Sequence, residues 1–165
     1  MGTGKTAVGE MSASKLGLRF LDSDHEIAKN EGKEISAIFE QSGEKRFREL
    51  EMDFIKHGHP SHGCLVSCGG GLPVADGMLE ILKQSGMVIA LWASPETIYQ
   101  RIQGNSSRPL LQVQDPLSEI KELLAFREST YLAAEQVVST EMRSAKVVSE
   151  LVANAYEVNQ ISEES

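Results

Sequence analysis

A chain of 165 residues, 41% of them hydrophobic, suits one domain with a single buried core. Its net charge of −8, from 24 acidic and 16 basic residues, disfavours nonspecific binding to nucleic acid or to an anionic membrane, while leaving room for a small basic pocket. No apolar run is long enough to span a bilayer and no signal-peptide pattern opens the chain, so a cytoplasmic protein is expected.

The first six residues, Met1-Gly2-Thr3-Gly4-Lys5-Thr6, end as a phosphate-binding loop ends, in the Gly-Lys-Thr of G-x-x-x-x-G-K-[ST]. In such a loop, small residues let backbone N–H groups curl around phosphate oxygens, the lysine reaches the outer phosphates, and the hydroxyl can ligate Mg²⁺. The segment after it is helix-forming to Leu16, with Gly17 as its cap, so phosphates would sit at a helix N-terminus. A frayed glycine-rich tail is the plainer alternative. The loop's first glycine and the buried strand that feeds such loops would lie before Met1, which predicts a misplaced start or a shortened chain with impaired competence.

Leu18–Leu21 reads as a short strand with Asp22-Ser23-Asp24 at its carboxyl end, where open α/β sheets gather ligands. A short helix is predicted from His25 to Asn30, broken by Gly32. Helical spacing follows over Ile35–Gln41 and again from Glu44 to about His57. Leu65–Cys68 reads as a strand running into Gly69-Gly70-Gly71, and Met78–Gln84 as a helix. The continuously apolar Met87–Trp92 suits a strand covered on both faces. Pro95 opens a helix to Ile102, residues 104–116 read as an exposed loop, and Leu117–Ala133 as a long helix. A final strand at Val137-Val138, a helix from Ala145 to about Val158 and a polar tail over 160–165 complete the chain. This alternation of helices and strands predicts an α/β fold with helices on the faces of a sheet.

Asp22 and Asp24 share one side of the sheet edge, where one carboxylate could hold a Mg²⁺ shell and the other meet a hydroxyl. Helix N-capping accounts for such a pair equally well, and the residues leave the two open. Three glycines directly after a buried strand suit a ligand approaching the backbone closely, more than a plain tight turn. Arg48, Arg108, Arg127 and Arg143 could grip carboxylate or phosphate in forked geometry, although any one of them taken alone reads as a solvated surface residue. Cys64 and Cys68 read as reduced thiols packed as small hydrophobes, and His57, His59 and His62 as a polar loop.

In this order and spacing the chain resembles the shikimate kinases. The likeness is carried by Met1–Thr6, Leu21-Asp22-Ser23-Asp24, Gly43–Arg48 with Glu51, Gly69–Gly71, Arg108-Pro109-Leu110-Leu111, and Arg127 with Tyr131. The resemblance implies a three-layer P-loop kinase fold, a parallel sheet in the order 2-3-1-4-5 whose first strand is missing here, and one domain over 1–165. It also implies transfer of the γ-phosphate of ATP to the 3-hydroxyl of shikimate, on the route to chorismate and the aromatic amino acids.

By the same resemblance, Gly2, Thr3, Gly4, Lys5, Thr6 and Ala7 would bind ATP, with Thr6 on Mg²⁺ and Asp22 holding the ion through water. Asp24 would meet the shikimate hydroxyls, Arg48 and Arg127 its carboxylate, and Gly70 and Gly71 would close on it through the backbone. The shikimate-binding helices would occupy about 25–58. Arg108, in a lid over 104–116, would close on the phosphates, and Lys5, Asp24 and Arg108 would be the catalytic set. Arg143 would stack on adenine, in a loop where Ala145 stands for the family's common proline. The partners implied are ATP and shikimate, acting on a monomer. A gluconate or nucleoside-monophosphate kinase, or a non-catalytic nucleotide-binding protein, are the rival readings.

Overall fold

A computed structural model describes residues 2–103 and 113–163. Arg108, and residues 104–112 of the expected lid, lie outside the described residues. The described residues form two compact units: one of residues 1–8 and 88–165, the other of residues 9–87. The first helix, α1 (Lys5–Leu16), gives its first turn to one unit and the remainder to the other.

In the unit of residues 9–87, α1 ends on Gly17, whose φ of 67° lies in the left-handed region. The Leu18 N–H then reaches back to the Ala13 carbonyl at 2.9 Å, a Schellman closure that consumes Leu18 before the strand begins. Strand β1 (Arg19–Asp22) pairs in parallel with β2 (Cys64–Ser67), in a register that sets Asp22 beside Ser67. Gly9 lets α1 lie close to this pair: a Cβ there would stand 2.6 Å from Phe20 Cε2 and 3.3 Å from Leu65 Cδ2.

Helix α2 (Ser23–Glu31) starts at once after β1, earlier than the His25 expected from sequence, because Asp22 caps it. Helix α3 (Ile35–His57) is the pair of expected segments joined across a kink at Gly43, where φ 76° and ψ 173° leave helical space. After β2 and the glycine run comes a 3₁₀ turn over Leu72–Val74 that the sequence did not predict, then α4 (Met78–Ser85). Ile27, Ile38, Phe47, Phe54, Ile55, Leu72 and Met78 are buried together as this unit's core.

In the other unit, β3 (Ile89–Trp92) pairs in parallel with β4 (Gln136–Ser139), aligning Trp92 with Ser139. Helix α5 (Pro95–Ile102) has Ser94 as N-cap and proline in its first turn. Helix α6 (Pro116–Leu132) is capped by Asp115, which accepts from the Ser118 N–H at 3.1 Å. Helix α7 (Ala145–Glu163) runs past the Val158 expected from sequence, so residues 160–163 of the expected tail are helical. Val8, Val138, Val148 and Val152 form one buried cluster, and Ala93, Ile98, Ile102 and Ile120 another.

Both strand pairs are parallel with helices between them, the arrangement of an α/β fold. Among the described residues no helix is long and apolar enough to cross a membrane.

Candidate active site

Residues 2–4 lead into α1. Gly2 and Gly4 both have positive φ, 68° and 83°, which a side chain would resist. Gly2 also packs against α5, where a Cβ would meet Ile98 Cγ2 at 3.0 Å and Ile102 Cγ2 at 3.1 Å. Thr3 is buried, Lys5 half-buried, and Thr6 and Ala7 exposed. The first turn of α1 carries no acidic residue, so no side chain of that turn offsets the positive end of the helix dipole. These are the conditions under which backbone N–H groups hold an anion.

The loop after β4 belongs to the same unit. Arg143, exposed, donates from Nη1 to the Ser139 carbonyl at 2.8 Å. Arg101 on α5 donates to Thr140 Oγ1 at 2.8 Å, to the Thr140 carbonyl at 2.7 Å and to the Gly2 carbonyl at 3.4 Å. Sequence reasoning passed over Arg101, because its partners lie 39 and 99 positions away. Arg127 on α6 has a buried Nε with no hydrogen-bond partner among the described residues. A buried donor without an acceptor is costly, and it is the state expected of a group that meets its acceptor in a ligand.

The unit of residues 9–87 assembles the other expected residues around the glycine run. Asp22 is the N-cap of α2: its Oδ1 accepts from the Asp24 N–H at 3.2 Å and the His25 N–H at 3.3 Å. Of the two functions the sequence left open for this pair, capping therefore falls to Asp22. The cap also fixes Asp22 and Asp24 at the carboxyl end of β1. The buried hydroxyl of Ser23 accepts from the Gly69 N–H at 3.2 Å, tying the glycine run to the same corner.

The first and third glycines are close approaches. A Cβ on Gly69 would stand 3.1 Å from Asp24 Oδ1 and 3.2 Å from Glu51 Oε1. A Cβ on Gly71 would stand 2.8 Å from Arg48 Nη2 and 3.0 Å from Nη1. Gly70 lies between them, half-buried. Gly69 and Gly71 are thus close approaches, with a carboxylate against one and a guanidinium against the other.

Arg48 is held from both sides on α3. Its Nη1 donates to Glu51 Oε2 at 2.6 Å, while Nη2 and Nε donate to Glu44 Oε1 at 2.7 and 3.3 Å. These bonds leave an N–H on each terminal nitrogen for a further acceptor. Burial works against the Arg48 charge, but the bonds to Glu51 and Glu44 outweigh it and raise its pKa. Glu51 is 1% exposed, and burial pushes its carboxyl above the ordinary range. Arg48 opposes that shift, and the Asp24 and Glu44 charges add to it. Glu51 Oε1 has no hydrogen-bond partner among the described residues. Apart from the family resemblance, nothing in the local sequence separates Glu51 from a solvated helix face; its burial does.

Chemically, this corner can present a fixed cation to an acid and a fixed carboxylate to an alcohol, both against bare backbone. The family model described as shikimate kinase matches residues 1–156. The chain is 41% identical over 157 residues to a protein named shikimate kinase from Thermodesulfovibrio yellowstonii, covering 95% of this chain and 91% of that one. It is 42% identical over 153 residues to one of the same name from Persephonella marina, covering 92% of each. Among solved structures it is similar to a shikimate kinase from Acinetobacter baumannii in complex with shikimate, with a TM-score of 0.88 and 35% identity over 96% of this chain and 89% of that one. A shikimate kinase from Aquifex aeolicus superposes with a TM-score of 0.84 at 32% identity, covering 97% of this chain and 94% of the other. With matches of this extent, joined to the P-loop kinase fold of its structural neighbours, the chain belongs to the shikimate kinase family.

Proposed function

We propose that this chain transfers the γ-phosphate of ATP to the 3-hydroxyl of shikimate, giving shikimate 3-phosphate and ADP. The observation that carries the reading is the glycine corner, where Gly71 lies against the Arg48 guanidinium and Gly69 against the Asp24 carboxylate. Shikimate is a carboxylic acid bearing hydroxyls, and these are the complementary groups.

Phosphoryl transfer asks a protein for positioning and for neutralisation of charge, with little covalent chemistry of its own. In this reading Gly2, Thr3, Gly4, Lys5, Thr6 and Ala7 cradle the ATP phosphates, and Lys5 supplies a cation to the transferred group. Asp24 orients the attacking hydroxyl and receives its proton as the new oxygen–phosphorus bond forms. Arg48 and Arg127 bind the shikimate carboxylate, and Gly70 and Gly71 bring backbone groups to the ring. The Nε of Arg127, without a partner among the described residues, supports its assignment, since a ligand carboxylate would satisfy it. Arg108, assigned to the phosphates on the family resemblance, would complete the cation set, and Arg143 would meet the adenine.

The donor set fits Mg²⁺. Thr6, an exposed residue in the first turn of α1, carries a hydroxyl, and Asp22 a carboxylate whose Oδ1 is anchored by its capping bonds. Both are hard oxygen donors, and Mg²⁺ takes one or two such groups beside waters and phosphate oxygens. When bound, the ion neutralises charge on the phosphates. Residues 1–165 are read as one catalytic domain, with residues 104–116 as its lid. The acidic balance and the small-molecule substrates support a monomer in the cytoplasm without nucleic-acid or membrane partners.

Shikimate, gluconate and nucleoside monophosphates offered side by side with ATP and Mg²⁺ test the proposal. Phosphate transfer should be confined to shikimate. Preference for gluconate or a nucleotide would refute the acceptor assignment, and ATP binding without transfer to any of them would refute catalysis.

A further inference from the structure

The loop between β4 and α7 is held by a device that spans 47 positions of sequence. Ser94 is the N-cap of α5, and its hydroxyl accepts from the Thr97 N–H at 3.2 Å. In a capping box the acidic residue at the position of Thr97 would reach back and accept the N–H of the cap residue itself. Threonine is too short for that, and Glu141 takes the place from the far loop. Its Oε1 accepts the Ser94 N–H, and its Oε2 accepts the Thr97 hydroxyl at 2.8 Å. Both oxygens are engaged at a helix N-terminus, where a carboxylate is favoured.

The other end of α5 grips the preceding residue, through the bonds from Arg101 to Thr140. Immediately beyond Glu141, Met142 has φ 51° and is fully exposed. Left-handed backbone is unfavourable for a side chain of this kind, and it persists where the flanking residues over-determine it. Here the flanks are Glu141, clasped to α5, and Arg143, whose N–H donates to the Thr140 carbonyl at 3.4 Å and whose Nη1 donates to the Ser139 carbonyl.

We infer that Glu141 is a positioning residue of the nucleotide site, clasping the loop after β4 to the N-terminus of α5 and so holding Met142 and Arg143 in place for the base of ATP. The inference rests on the reading of Arg143 as an adenine-binding residue. A loop already ordered in the free protein does not have to be ordered by the ligand, and nucleotide affinity gains accordingly.

Titrations with Mg²⁺-ATP and with inorganic tripolyphosphate, which has the phosphates and no base, provide the test, alongside steady-state kinetics. Glu141→Ala should weaken ATP binding and raise its KM about tenfold, the order expected for re-ordering a short loop. Tripolyphosphate binding, the shikimate KM and kcat at saturating ATP should stay within about twofold, as interactions realised in ground-state binding alone predict. Glu141→Gln keeps an acceptor for Ser94 and a partner for Thr97, so it should recover most of the affinity. Thr97→Val, removing one arm, should fall between. Wild-type ATP affinity in Glu141→Ala, or equal losses for ATP, tripolyphosphate and shikimate, would overturn the clasp. Arg143→Ala separates the two levels of the argument. If it binds ATP normally, the nucleotide reading itself fails; if it loses ATP while Glu141→Ala does not, the clasp alone is wrong.

Discussion

The Arg48 guanidinium donates to Glu51 Oε2 at 2.6 Å, and Glu51 is almost completely buried. The cation proposed to bind the acceptor is therefore also the partner of a carboxylate that has no other among the described residues. Arg48→Ala should lose both shikimate affinity and stability, the latter by about 3–5 kcal/mol, because it strands a buried charge. Adding Glu51→Gln should restore most of the stability and none of the affinity, as read by chemical denaturation and shikimate titration. If the double variant is as unstable as the single one, the ion pair is not the cause.

The same pair gives a pH dependence. Burial already places the folded pKa of Glu51 above the 4.5 of the free group, and removing Arg48 removes its two opposing influences. In Arg48→Ala the folded state then holds its proton to higher pH than the unfolded chain does. Stability of the variant should therefore fall as pH rises from about 4.5, until the carboxyl ionises in the folded state as well. Melting temperature against pH should show a steeper decline for Arg48→Ala than for the wild type, and a flat difference would contradict it.

Gly71→Ala probes the acceptor corner without disturbing the backbone. The φ of Gly71 is −86°, which alanine adopts readily, so the substitution acts through its Cβ. That carbon would stand 2.8 Å from Arg48 Nη2, at the end of a flexible side chain that can move aside. Stability should change by less than about 1 kcal/mol, while the shikimate KM rises about tenfold or more and the ATP KM holds, since displaced contacts cost binding steeply. A large loss of stability with normal shikimate kinetics would show that the glycine serves only the turn.

Arg127→Met should leave the fold intact, since the aliphatic stem is kept and a buried N–H with no partner among the described residues is removed. Shikimate binding should drop by roughly a hundredfold, the loss expected when a buried carboxylate goes unpaired, with ATP affinity nearly unchanged. Equal loss of both ligands would contradict the division of roles.

Gly9→Ala is the control on packing. Its Cβ would enter the ring of Phe20 at 2.6 Å, and the ring is a rigid neighbour. A loss of about 1–3 kcal/mol is expected on denaturation, with substrate KM values unchanged. Wild-type stability would mean that α1 can shift on β1 without penalty.

The sequence by itself determined the elements whose signals are local. Lys5–Leu16 carries its glycine cap, Pro95–Ile102 its first-turn proline, and residues 35–41 and 44–57 two separate helical patterns. The glycine turn before α1, the Asp22-Ser23-Asp24 corner and the glycine run were legible too, because each is a few contiguous residues with a strong backbone consequence. Tertiary structure alone decided which groups face one another. That Gly71 yields to Arg48 and that Glu141 completes a cap for α5 depend on residues brought together from distant positions, while Glu51, three residues from Arg48 on α3, becomes a buried counter-ion only because the fold covers it. An isolated glutamate on a helix or in a loop has the same local preferences in either role. Only burial and the partner's position, which the folded chain supplies, change its energy.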